Sequence, residues 1–167
     1  MSSHDVAEFL RDVRLFQGFS DADRAALARA LRERTLRRGH VLLREGDGGD
    51  EMFLVRRGSI VVSKAVTGPV EQVIARMGPG EFFGEMSLFA RAPRSATIQA
   101  DAGVDVELLV LDRGQLEALI EANPRAAVSF FQALVSVFIE RLRTSTNLVA
   151  EVTRWGLEAT GLDVEGR

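Results

Sequence analysis

Apolar residues at the start of the chain recur at helical spacing. In HDVAEFLRDVRLF, Val6, Phe9, Leu10, Val13 and Phe16 fall three or four positions apart or side by side, which predicts a short amphipathic helix over 4–16. Gly18 interrupts it. Ser20, with Asp23 three positions on, has the form of an N-cap. The Ala- and Leu-rich DADRAALARALRE that follows, with Leu27 and Leu31 on one face, predicts a second helix, so helices are expected over 4–34.

From Leu36 the pattern changes. HVLLREGDGGDEMFLVRRGSIVVSK has short apolar runs punctuated by glycine, at Gly46 to Gly49 and at Gly58. VEQVIARM, SATIQA and DVELLVL read as further strands, with a Gly-Pro-Gly turn at 78–80 between the first two. Several short strands so closely spaced predict an antiparallel β-roll of the double-stranded β-helix or jelly-roll kind over 36–111.

After Leu111 helical spacing returns. DRGQLEALIE predicts a short helix opening at Asp112, Asn123-Pro124 breaks the chain, and a long helix runs from Pro124 to about Trp155. Val128, Phe131, Val135, Phe138, Leu142, Ser145, Val149 and Val152 alternate steps of three and four, a heptad seam. The part from Val128 to Phe138 is expected to pack on the roll, and the part from Leu142 onward argues for a dimer. The fold class expected is mainly β with flanking helices. One domain would cover 1–155, with helices over 112–155 and a tail at 156–167.

Composition narrows the function. The 167 residues suffice for one well-buried core. A net charge of −3 argues against broad attraction to nucleic acid or anionic membrane. No apolar run approaches a bilayer span, and MSSHDVAEFLRD lacks the apolar core of a signal peptide, so a cytoplasmic location is expected. The absence of cysteine removes disulfides, thiolate metal sites and cysteine nucleophiles. Two isolated histidines, His4 and His40, make a histidine-based metal site or triad improbable. There is no Walker loop, no carboxylate cluster for a metal and no nucleophile elbow. No catalytic residue, metal site or cofactor is therefore expected, and the chemistry is binding.

One stretch carries that chemistry. FFGEMSLFARAPRSATI, residues 82–98, sets Glu85 and Arg94 in a mostly apolar run. Taken alone, the two could be a solvated ion pair worth about 0–1 kcal/mol. A ligand site reads differently. Gly84 lets backbone approach closely, a short helix opening there offers N–H groups to an anion, and the Arg94 fork suits two phosphate oxygens beside the Ser95 hydroxyl. Glu85 would repel a phosphate but accept a neighbouring hydroxyl, and a phosphate joined to a sugar hydroxyl is a nucleotide.

This stretch resembles the phosphate-binding cassette of the cyclic nucleotide-binding domain family. The match holds at Phe83, Gly84, Glu85, Met86, Ser87, Leu88, Pro93, Arg94, Ser95 and Ala96. EGDGGDEMFLVRRGSIVV is similar to the family's glycine-punctuated hairpin, and the resemblance covers nearly all of residues 5–150. It implies that Glu85 accepts the ribose 2′-hydroxyl. Arg94 pairs with the cyclic phosphate, helped by Ser95 and by the N–H groups of Met86 and Ser87. Phe82, Leu88 and Val73 shape the pocket wall. In RLRTSTN, Ser145 and Thr146 occupy positions where bacterial cAMP-receptor transcription factors hydrogen-bond the adenine, which tilts the expected ligand toward cAMP over cGMP. A polar helix face is the competing reading of that pair.

The resemblance implies a sensor that transmits ligand occupancy through its C-terminal helices, with a hinge at 112–124 and a homodimer along the long helix. About a dozen residues follow Arg154, too few for the helix-turn-helix domain of family transcription factors. The expectation is a stand-alone signalling or adaptor protein with an unknown downstream protein partner and no DNA binding of its own. The alternatives are the sensing part of a transcription regulator and a degenerate scaffold that binds no ligand.

Overall fold

A computed structural model describes residues 2–67, 70–90 and 92–159; within it the side chains of Thr67, Val70 and residues 145–159 lie outside the description. The chain divides into two compact units, Met1–Ser129 and Phe130–Arg167.

The first unit opens with helix α1 (Ser3–Asp12), a single 3₁₀ turn (Arg14–Phe16) and helix α2 (Asp21–Ala30). The 4–16 helix is thus shorter than its periodicity predicts. Val13 leaves the helix in an extended conformation (φ −78°, ψ 122°), and the tight turn after it buries Leu15 and Phe16. Ser20 caps α2 as expected, its hydroxyl accepting the Asp23 N–H at 3.2 Å. Helix α1 packs on α2.

The second predicted helix needs correction at its end. It stops at Ala30, and Arg32–Leu36 (RERTL) is strand β1, with only Leu36 buried. Arg and Glu favour helix intrinsically. Here they pair residue by residue with a strand some seventy positions away, from Arg32↔Val110 to Leu36↔Val106. Tertiary pairing overrides local propensity at this edge, and the roll begins at residue 32.

Strands β2 (Val41–Leu43), β3 (Glu51–Arg57), β4 (Ile60–Thr67), β5 (Val70–Met77), β6 (Phe82–Phe83), β7 (Thr97–Ala100) and β8 (Val106–Asp112) complete two four-stranded antiparallel sheets. Their orders are β1-β8-β3-β6 and β2-β7-β4-β5. Alternate residues of both sheets face one core: Leu36, Phe53, Val55, Phe83, Val106, Leu108 and Val110 from the first, and Ile60, Val62, Ile98 and Ala100 from the second. This is the mainly β roll with flanking helices that the sequence predicts. The predicted turn at 78–80 is observed, with Gly80 at φ 86°.

Between β6 and β7 lies the short helix α3 (Glu85–Ala90). After β8, Asp112 caps helix α4 (Arg113–Ala122) with a full capping box, accepting the Gln115 N–H at 2.8 Å while Gln115 accepts its own. Helix α4 packs on α2.

Helix α5 (Pro124–Ala159) enters the second unit at Phe130 and extends past the predicted end near Trp155. The expectation that Val128 to Phe138 are covered is not met at two of its positions. Val128 and Val135 are more than half exposed, as is Leu142, while Ala126, Ala127, Phe130 and Leu134 are buried. Ala126, Phe130 and Leu134 form their own i, i+4 series, so the helix carries two apolar stripes where the heptad reading saw one.

Candidate functional site

The site is built where the two sheets meet the β6–β7 connection. Phe82 and Phe83 pair with Leu54 and Phe53 on β3, and the Phe53 and Phe83 rings stack with centroids 5.2 Å apart. That anchors the start of α3. Gly84, the next residue, has φ 81°, a region that side chains other than glycine's rarely adopt. It turns the chain from strand into helix.

Arg94 is only 5% exposed, and its surroundings explain how a guanidinium can sit there. Its Nη1 donates to the Glu51 carbonyl at 2.8 Å and to the Gly84 carbonyl at 3.4 Å. Its Cζ lies 5.7 Å from the centre of the Phe53 ring, a cation–π distance. Two glycines form the walls. A Cβ built at Gly84 would stand 2.7 Å from Arg94 Nη1 and 2.8 Å from the Glu51 carbonyl oxygen. One built at Gly49 would stand 2.7 Å from both Cζ and Nε, and nearer still to Nη2. Burial pushes the Arg94 guanidinium below its usual pKa, while the nearby carboxylates of Glu51 and Asp50 pull it back up.

The backbone holds this arginine as firmly. Arg94 N–H donates to the Asp47 carbonyl and its own carbonyl accepts from Gly46 N–H, both at 2.8 Å. The glycine-rich loop 46–49 is therefore stapled to the cassette. Yet Arg94 Nε is buried with no hydrogen-bond partner. A buried donor left unpaired costs about 1–3 kcal/mol.

The other predicted residues distribute around this centre. Glu85 is buried at 7% as the first residue of α3, which removes the reading of an exposed surface carboxylate. Ser87 is buried, its hydroxyl donating to the Ala92 carbonyl at 3.0 Å and so closing the α3 loop. Met86 projects outward, 55% exposed. Phe83 belongs to the core, with Ala96 packed against it, and Ser95 is exposed. Phe82 and Leu88 are buried, whereas Val73 on β5 is exposed. Ser145 and Thr146 lie on α5 outside the described side chains. Arg113, the first residue of α4, donates from Nη2 to the Ser87 carbonyl at 3.4 Å and from its backbone N–H to the Asp50 carbonyl at 3.1 Å. The start of α4 thus touches both sides of the site.

Gly49, Glu51 and Phe53 are the contributors that sequence reasoning missed. The signal was present in GDGGDE, which read only as a turn: two adjacent glycines before a strand also permit close approach of a bulky side chain. Among the described residues no group of three or more His, Cys, Asp or Glu side chains could hold a metal ion, and no helix is long and apolar enough to cross a membrane.

Comparison with known proteins places this geometry. The sequence model of the cyclic nucleotide-binding domain matches residues 33–123, more than half of the chain. A cyclic nucleotide-gated potassium channel of Mesorhizobium japonicum is 43% identical over 118 residues, covering 71% of this chain and 31% of the channel. A CRP-like cAMP-activated global transcriptional regulator of Mycobacterium tuberculosis is 29% identical over 145 residues, covering 87% of this chain and 62% of the regulator. The crystal structure of a cyclic nucleotide-binding domain from Methylobacillus flagellatus superposes with a TM-score of 0.74 at 28% identity, covering 89% of this chain and 83% of that one. The chain thus spans about a third to two thirds of the length of these curated relatives. It belongs to the cyclic nucleotide-binding domain family.

Proposed function

We propose that this member of the family is a sensor of a cyclic purine mononucleotide. The observation that carries the reading is Arg94, a nearly buried cation between two glycine walls with its Nε unpartnered. A cyclic phosphate supplies what that donor lacks, two acceptor oxygens and a compensating charge. The N–H groups of Met86 and Ser87, in the first turn of α3, and the Ser95 hydroxyl complete the phosphate cradle. Glu85 accepts the ribose 2′-hydroxyl, and Phe83, Gly84 and Ala96 shape the floor. Ser145 and Thr146 meet the base, with cAMP preferred to cGMP.

Occupancy is transmitted through the C-terminal helices. The hydrogen bonds of Arg113 to the Ser87 and Asp50 carbonyls favour this route, because any shift of α3 or of the β3 start reaches the first residue of α4 directly. A ligand moves that equilibrium only as far as it binds one state better than the other. The exposed Val128, Val135 and Leu142 on α5 favour a homodimer along this helix. The output is that of a cytoplasmic signalling or adaptor protein rather than an enzyme. The sensing part of a larger regulator is the second reading, favoured by the greater length of the relatives.

Isothermal titration with cAMP, cGMP and cyclic di-GMP, after assay for nucleotide carried through purification, tests the proposal. Binding of one mononucleotide per chain supports it. No heat with any of the three, and no carried-over ligand, leaves the scaffold reading.

A further inference from the structure

A second concave surface lies at the far end of the roll. β3 runs from Glu51, beside Arg94, to Arg57 at the opposite end of the sheet, about 20 Å away at roughly 3.3 Å per residue. There the ends of β1, β3 and β8 and the β1–β2 and β7–β8 turns enclose an open trough of about 700 Å³. Its floor is built on paired strands: Thr35 and Arg57 both stand opposite Glu107. Directly paired residues share a face, so these three side chains form one row across adjacent strands.

The charges in the trough are unequally spent. Asp105 accepts the Arg38 backbone N–H at 2.9 Å, which fixes the turn. Arg57 meets Glu107 only loosely, at 3.7 Å with both side chains exposed. Among the described residues the guanidinium groups of Arg37 and Arg38 have neither a hydrogen bond nor an ion pair, and His40 stands beside them. Val104 adds an apolar surface 57% exposed. Two unspent planar forks beside an exposed valine, in a chain of net charge −3, make a local basic site on an acidic protein.

We propose that this trough docks an extended acidic segment of a partner protein, with carboxylates at alternate positions reaching Arg37 and Arg38 and an apolar side chain between them on Val104. The openness of the trough favours a chain running through it over a small molecule, which a pocket must surround to hold. The acidity of the whole protein disfavours nucleic acid. Bidentate carboxylate pairing by arginine supplies orientation as well as attraction.

The test uses the whole chain and a fluorescently labelled heptapeptide alternating glutamate and leucine, beside its twin with glutamine. Anisotropy is expected to show the glutamate peptide binding at least tenfold more tightly than its twin. Arg37→Glu with Arg38→Glu is expected to abolish that difference at unchanged melting temperature and unchanged cyclic nucleotide affinity, while Arg125→Glu on α5 leaves it intact. Should the charge reversal unfold the protein, Arg37→Gln with Arg38→Gln replaces it. Equal binding of the two peptides, binding that survives loss of both arginines, or no binding at millimolar peptide overturns the proposal. So does an arginine-dependent site that takes inorganic phosphate but not the peptide, which would make it a small-anion site.

Discussion

Gly49 and Arg94 stand so close that a methyl group on the first would occupy space held by the guanidinium of the second, 2.7 Å from its Cζ. The obstruction is the far end of a flexible side chain rather than backbone, so the fold can absorb it and the site cannot. Gly49→Ala is therefore expected to leave the melting temperature within about 2 °C of the parent, as for a substitution well under 1 kcal/mol, while weakening cyclic nucleotide binding about tenfold or more. Calorimetric titration beside a thermal melt checks both halves. A large loss of stability with intact affinity would contradict it.

Gly84→Ala is expected to behave differently. Its φ of 81° strains any residue with a Cβ, and that Cβ would also press on the backbone carbonyl of Glu51 at 2.8 Å. Strain of this kind costs of order 1–3 kcal/mol. Urea unfolding should show that loss even without ligand, which separates the two glycines.

Arg94→Met should remove most of the affinity for a cyclic mononucleotide, because the buried phosphate loses its charge partner. Without ligand the same change should leave the melting temperature unchanged or raise it, since it removes a buried cation with an unpaired Nε. Arg94→Lys should not restore binding, a point charge being a poor substitute for a fork. Equal cAMP affinity of Arg94→Met and the parent would sink the site assignment.

Glu85→Gln should bind more weakly and, more tellingly, should lose discrimination between a cyclic nucleotide and its 2′-deoxy analogue. Competition between the two ligands reads that ratio directly. A preserved preference for the 2′-hydroxyl would place the ribose contact elsewhere.

On α5, Val135→Glu with Leu142→Glu should convert a dimer to a monomer in light scattering without unfolding the chain, because both positions are more than half exposed. A chain that is monomeric before the substitution removes the dimer from the proposed function.

The sequence alone settled what depended on local pattern. The N-cap Ser20, the helix opening at Asp112, the turn at 78–80 and the strands β2 to β5, β7 and β8 were legible because hydrophobic period and turn chemistry are properties of neighbours in the chain. The cassette from Phe83 to Ala96 was legible for the same reason, its residues lying within fourteen positions. Tertiary structure decided what depended on distant segments. β1 is a strand only because β8 pairs with it, against the helical preference of its Arg and Glu residues. The surroundings of Arg94 come from Gly49, Glu51 and Phe53, more than forty positions earlier, and no spacing rule reaches that far. Burial works the same way: whether Ala127 or Val128 is the covered residue on one helix is fixed by the surface presented to it, a quantity that exists only once the chain has folded.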